Sequence, residues 1–211
     1  MTAREEILGR VSAALSDVPR SAPGATSIPR EYAEVAVVDD LVALFVERVE
    51  DYRAIVERVR PEELPAAVAA ALGDSTRVVV PPGLDPSLLA AATGVDIITD
   101  DGSLTAAELD RVDAVVTAAA VGIAVTGTIV LDHAPDQGRR ALSLVPDRHV
   151  CIVRIDQLVG DVPEGVAKVA SAAAGGRPLT WISGPSATSD IELERVEGVH
   201  GPRRLHVLLV G

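Results

Sequence analysis

Four stretches carry side chains whose types and spacing could do chemistry, and all lie beyond residue 121. The first, GIAVTGT over Gly122 to Thr128, offers the hydroxyls of Thr126 and Thr128 around Gly127. A glycine there lets backbone approach a ligand closely, and it equally shapes a plain turn or bulge. The second, DHAPDQGRR, brings Asp132, His133, Asp136, Arg139 and Arg140 just after an apolar run. Adjacent arginines suit a carboxylate or phosphate, and α/β folds collect ligands at the carboxyl ends of strands. Nothing in the spacing of Asp132, His133 and Asp136 marks a metal-ligand set, so no metal site is assigned.

The third stretch, ISGPSATSDIE over residues 182 to 192, supplies Ser183, Gly184, Ser186 and Thr188, with Ser189 three residues before Glu192 as a capping box. A helical turn starting here would direct free N–H groups at a small anion. Alternatively, Asp190 and Glu192 satisfy those groups and the turn is a structural cap. The fourth, VEGVHGPRR, sets His200 between two glycines. That loop setting makes it a better proton-transfer candidate than His149 or His206.

Composition narrows the chemistry. The 211-residue chain carries a net charge of -12 and only 2% aromatic residues. Polynucleotides, which are bound by neutralising phosphates and stacking bases, are therefore not expected as partners. Small anions remain open, because the pairs Arg139–Arg140 and Arg203–Arg204 can make basic pockets on an acidic protein. The single lysine, Lys168, lies in a helical pattern as a solvated side chain, which argues against Schiff-base and phosphate-loop lysine chemistry. The single cysteine, Cys151, lies in the apolar run HVCIVRI and reads as a buried small hydrophobe. One thiol cannot hold an iron–sulfur cluster or a Cys-rich zinc site. With no long apolar segment at the start and no disulfide framework, no membrane span is expected and the cytoplasm is the expected location.

The elements that must position these residues follow from periodicity. Thr2 and Glu5 cap an amphipathic helix with Ile7, Leu8, Val11 and Leu15 on one face. That face fits docking on a partner or second subunit as well as packing on its own domain. Residues 16 to 31 read as a linker, giving a helix-and-linker segment over 1–34 and an α/β domain over 35–211. From Asp40 the spacing of Leu41, Phe45, Val49, Tyr52, Ile55, Val56 and Val59 predicts one long helix ended by Pro61, and Pro61 to Leu72 predicts another. RVVVPPG, VDIITDDG and VDAVVTAAA read as strands separated by helices over Pro86–Thr93 and from Thr105. That alternation belongs to an α/β sheet with crossovers. Between residues 121 and 155 the β-branched runs are too closely spaced for crossover helices, so part of the sheet should be antiparallel. A helix over Pro163–Ala174 and the strands PLTWISG and RRLHVLLVG complete a mixed, mostly parallel sheet flanked by helices.

GIAVTGTIVL, GRRALSLVPDRHVCIV and ISGPSATSDIELERVEGVHGP, in that order, resemble the LUD-domain family, named for lactate utilisation, and its LutC-like branch. The resemblance implies a fold like that of the sugar-phosphate isomerase and CoA-transferase group. It implies an accessory, non-redox subunit of an L-lactate-oxidising complex that forms pyruvate. The iron–sulfur clusters would then sit on partner proteins, with no cofactor bound by this chain alone. Ligand contacts are expected from Thr126, Gly127, Thr128, Arg139, Arg140, Ser183, Gly184 and Ser186, with His200 moving protons. Family members commonly carry an acidic residue before Thr-Gly-Thr where this chain has Val125. The competing reading is a free-standing enzyme or sensor acting on a small anionic metabolite such as a sugar phosphate, an acyl-CoA or a folate-like molecule.

Overall fold

The computed structural model describes residues 2–17, 37–185, 187–188, 196–197 and 201–211. Residues 18–31 of the expected linker, Ser186, the Ser189–Glu192 cap and His200 lie outside the described residues. The chain divides into two compact units, residues 1–32 and 33–211.

In the first unit, helix α1 (Ala3–Ala14) starts on the reciprocal cap predicted for it. The Thr2 hydroxyl accepts from the Glu5 N–H at 3.3 Å, and the Glu5 carboxylate accepts from the Thr2 N–H at 2.8 Å. Two of the helix's otherwise orphaned donors are satisfied in this way.

The second unit is an α/β structure. In chain order its elements are α2 (Leu41–Asp51), β1 (Ile55–Val59), α3 (Leu64–Leu72), β2 (Arg77–Val80), β3 (Asp96–Thr99), α4 (Ala106–Leu109), β4 (Ala114–Ala118), β5 (Val121–Ile123), β6 (Thr128–Leu131), β7 (Arg148–Arg154), β8 (Leu158–Val159), α5 (Val162–Ala174), β9 (Thr180–Ile182), β10 (Ala187–Thr188), β11 (Val196–Glu197) and β12 (Arg204–Val210). Six strands form a sheet in the order β1-β12-β7-β4-β2-β3, every neighbouring pair parallel. Both faces are covered, which is why these strands read as continuous apolar runs rather than alternating ones. Along β12, Leu208 and Val210 pack with Leu64, Val68 and Leu72 of α3 on one face. Leu205, Val207 and Leu209 pack on the other with Phe45 and Val49 of α2 and with Ile129 and Leu131 of β6. Each fully buried residue of this kind stabilises the fold by about 1.5–3 kcal/mol.

The antiparallel pairing expected in the middle of the chain is present, in a second sheet of order β8-β5-β6-β9. There β5–β6 and β6–β9 are antiparallel and β5–β8 is parallel. β10 and β11 make a separate antiparallel pair.

Two expected helices are shorter than their patterns. The helix from Asp40 ends at Asp51, and Ile55–Val59 is a strand. Arg53 turns the chain at φ 68°, and β1 is then taken up by β12 in register from Ile55 opposite His206 to Val59 opposite Val210. Tertiary pairing outweighs a helical spacing that β-branched Ile55, Val56 and Val59 support only weakly. The helix expected over Pro86–Thr93 is a 3-10 turn over Pro86–Leu89.

Candidate functional site

The antiparallel pair β6–β9 places Ile129 opposite Ile182, so the residues flanking them meet at the sheet's end. Thr128 Oγ1 and Ser183 Oγ lie 2.8 Å apart, and Thr126 Oγ1 donates to Thr128 Oγ1 at 2.8 Å. Gly127 and Gly184 both have positive φ, 58° and 80°. Their missing side chains leave room for the C-terminal end of α2. A Cβ on Gly127 would sit 2.7 Å from the Arg48 carbonyl, and one on Gly184 would collide with Tyr52. Both glycines are therefore explained by close backbone approach. Val125 is 41% exposed and donates its N–H to the Gly160 carbonyl at 3.0 Å.

Beside this hydroxyl chain lies a cavity of about 200 Å³ whose lining includes Ser143, His149, Thr180, Ser183 and Gly184. His149 is 1% exposed, and its Nε2 is 2.8 Å from Thr117 Oγ1. Burial pushes its pKa down to about 4, because the charged ring would be desolvated. It is a neutral hydrogen-bonding group at neutral pH.

Arg139 and Arg140 stand apart from the hydroxyl chain. They line a cleft of about 690 Å³ together with Asp100, Asp101, His133 and Arg177, next to the carboxyl ends of β2 and β3. Asp100, 4% exposed, accepts from Arg139 Nε at 2.8 Å and Nη2 at 3.0 Å, and Nη2 also donates to the Leu104 carbonyl at 2.6 Å. The hydrogen bond to this carboxylate holds the Arg139 pKa above its ordinary value. Arg177 is paired with Asp132 at 2.8 Å. Arg140 is exposed and makes no ion pair among the described residues.

His133, in the left-handed region at φ 55°, has both ring nitrogens engaged. Nδ1 lies 2.7 Å from the Gly138 carbonyl and Nε2 lies 2.8 Å from Thr180 Oγ1. A carbonyl only accepts, so Nδ1 carries a proton and donates to it, while Nε2 is taken up by the threonine hydroxyl. Neither nitrogen is left for a metal. Thr180 lines the smaller cavity, so this contact ties the two sites together.

Of the residues singled out in the sequence, Thr126, Gly127, Thr128, Ser183 and Gly184 are thus gathered at one place and Arg139 and Arg140 at another. Ser186 and His200 lie outside the described residues. Asp100 and Arg177 were missed. An Asp-Asp-Gly run directly after a strand could have flagged Asp100, whereas nothing near Arg177 marks it.

The LUD-domain family pattern matches residues 42–210, which include both clefts. The chain belongs to the LUD-domain family. Within that family it is 56% identical to the lactate utilization protein C of Deinococcus radiodurans over 172 residues, 82% of this chain and 80% of that protein. It is 30% identical to the lactate utilization protein C of Bacillus subtilis over 115 residues, 53% of this chain and 48% of that protein. A crystal structure of a DUF162-family protein from Deinococcus radiodurans matches with a TM-score of 0.71 and 48% identity, covering 81% of this chain and 96% of that one. The α/β architecture with its six-stranded parallel sheet agrees with this LUD-family neighbour.

Proposed function

We propose that this chain is a non-redox accessory subunit in the oxidation of L-lactate to pyruvate, acting beside iron–sulfur partner proteins and holding a small monocarboxylate in the Arg140 cleft. The observation that carries the lactate role is the 56% identity to a lactate utilization protein C over four-fifths of both chains. The non-redox part rests on Cys151, the one cysteine in the sequence. It is fully buried, and burial pushes its thiol pKa up to about 12. A protonated, enclosed thiol is no cluster ligand, and a cluster needs several thiolates. Electrons would pass through the partners, while this chain binds and orients an anion.

The choice of a monocarboxylate follows from charge. Asp100 pairs with Arg139 and Asp132 with Arg177, whereas Arg140 makes no ion pair among the described residues and is the guanidinium open to an anion in a cleft that Asp101 also lines. A carboxylate can take a planar, two-point contact from a guanidinium.

The test is growth of the native host without this gene. Growth on L-lactate should fail and growth on pyruvate should persist, with rescue by the intact gene and weak rescue by Arg140→Ala. Normal growth on L-lactate without the gene would overturn the lactate role. Full rescue by Arg140→Ala would overturn the cleft assignment.

A further inference from the structure

The arginine pair Arg203–Arg204 has no part in the reading above, yet it borders a second basic pocket. This pocket of about 490 Å³ is lined by Arg53, Arg148, Arg203, Arg204 and His206 together with the apolar Ile55, Ala70, Ala71 and Leu205 and by Gly73. No acidic side chain is among these lining residues, although the whole chain carries a net charge of -12. We infer that this pocket is a binding site for a phosphate monoester, its phosphate held by the arginines and its organic part resting on the apolar floor.

The fold builds the pocket. Because β1, β12 and β7 are parallel, their first residues, Ile55, Arg204 and Arg148, come to the same end of the sheet. Helix α3 runs back to that end and finishes at Gly73. Arg148, whose side chain is only 13% exposed, is fixed there by donating to the Leu72 carbonyl and, at 2.9 Å, to Asp74. Gly73, at φ 60°, leaves the space this guanidinium occupies, since a Cβ would lie 2.6 Å from Arg148 Nη1. Arg148 is therefore a preset positive charge in the wall, requiring little ordering when an anion arrives.

Arg203 is oriented by its ion pair with Asp147. Arg204 is exposed and makes no ion pair among the described residues, while its backbone N–H is anchored on the Asp147 carbonyl at 3.1 Å. The carboxylates that face these arginines stand outside the lining. Asp74 is 89% exposed, so water screens its offset of the Arg148 charge. A field set by several guanidinium groups favours a dianion over a monoanion, and guanidinium forks match phosphate oxygens. His206 adds a second sign of an incomplete site. Its Nε2 is buried without a hydrogen bond, and the nearest carboxylate oxygen, on Glu57, is 3.5 Å away. Buried polar atoms are seldom left unpaired. This pocket is separate from the Arg140 cleft, which lies at the carboxyl ends of β2 and β3.

The test is isothermal titration of the full chain with glycerol 3-phosphate and with inorganic phosphate, at low salt, for the unchanged protein and for Arg204→Ala, Arg203→Ala and Arg140→Ala. One saturable site is expected, with glycerol 3-phosphate bound more tightly than inorganic phosphate. Affinity should weaken about tenfold in Arg204→Ala and in Arg203→Ala and stay unchanged in Arg140→Ala. Circular dichroism of the Arg204→Ala variant checks that its fold is kept, as the exposure of Arg204 leads one to expect. The inference is overturned if no saturable binding is seen, if Arg204→Ala binds as the unchanged protein does, or if Arg140→Ala alone abolishes binding. The last result would place the phosphate in the other cleft. The lactate role stands or falls separately, on growth.

Discussion

Arg139 forks onto Asp100, Nε to Oδ2 at 2.8 Å and Nη2 to Oδ1 at 3.0 Å, joining the loop after β6 to the end of β3. The pair makes Arg139 a wall of the cleft, while Arg140 makes no ion pair among the described residues.

Asp100→Ala removes a buried carboxylate and strands a guanidinium that is 35% exposed. Breaking a buried pair is costly, and water at Arg139 reduces the cost, so a loss of about 2 kcal/mol is expected in urea unfolding. The double change Asp100→Asn with Arg139→Gln should be closer to the unchanged protein than Asp100→Ala is, as a double-mutant comparison would read.

Arg140→Ala should leave the unfolding midpoint almost unchanged, because the side chain is exposed and unpaired among the described residues. Affinity for L-lactate or pyruvate, measured by titration calorimetry, should weaken about tenfold. Arg140→Lys keeps the charge without the planar fork and should recover only part of it.

His149 makes stability depend on pH. Its pKa falls from 6.5 to about 4 on folding, so the unfolded chain takes up the proton first as pH drops. The stabilisation is complete above pH 6.5 and is lost as the pH falls towards 4, by up to about 3 kcal/mol. His206, also lowered by burial, adds to the same trend. Urea unfolding between pH 7 and 4 should show this slope, and His149→Gln should flatten it in that window.

Gly127→Ala and Gly184→Ala should each destabilise the protein by about 2 kcal/mol or more, since both combine positive φ with contact against the end of α2. If these glycines served a ligand instead, thermal unfolding would change little and only binding would suffer.

Much of the fold was legible in the sequence because its strands are buried on both faces. HVCIVR in β7 and LHVLLV in β12 announce themselves as continuous apolar runs. The capping residues Thr105 and Glu108 marked α4 in the same direct way. The end of α2 was not legible, since Tyr52 and Ile55 continue a helical stripe that only the pairing of β1 with β12 interrupts. The site was half legible. Thr128 and Ser183 could be picked out as hydroxyls flanking glycines, but their contact spans 55 residues of sequence. Nothing in the spacing of Arg139 reports that a carboxylate 39 residues earlier draws it away from those hydroxyls. The same holds for Arg177 and Asp132, 45 residues apart.

The most direct measurement is the iron content of the tagged chain purified from its native host growing on L-lactate, beside the same chain purified alone after recombinant expression. A non-redox subunit working with iron–sulfur partners should bring iron and cysteine-rich chains together in fixed ratio from the host, and no iron when isolated. An iron-free, solitary chain from lactate-grown cells, or iron bound by the isolated chain, would contradict the account.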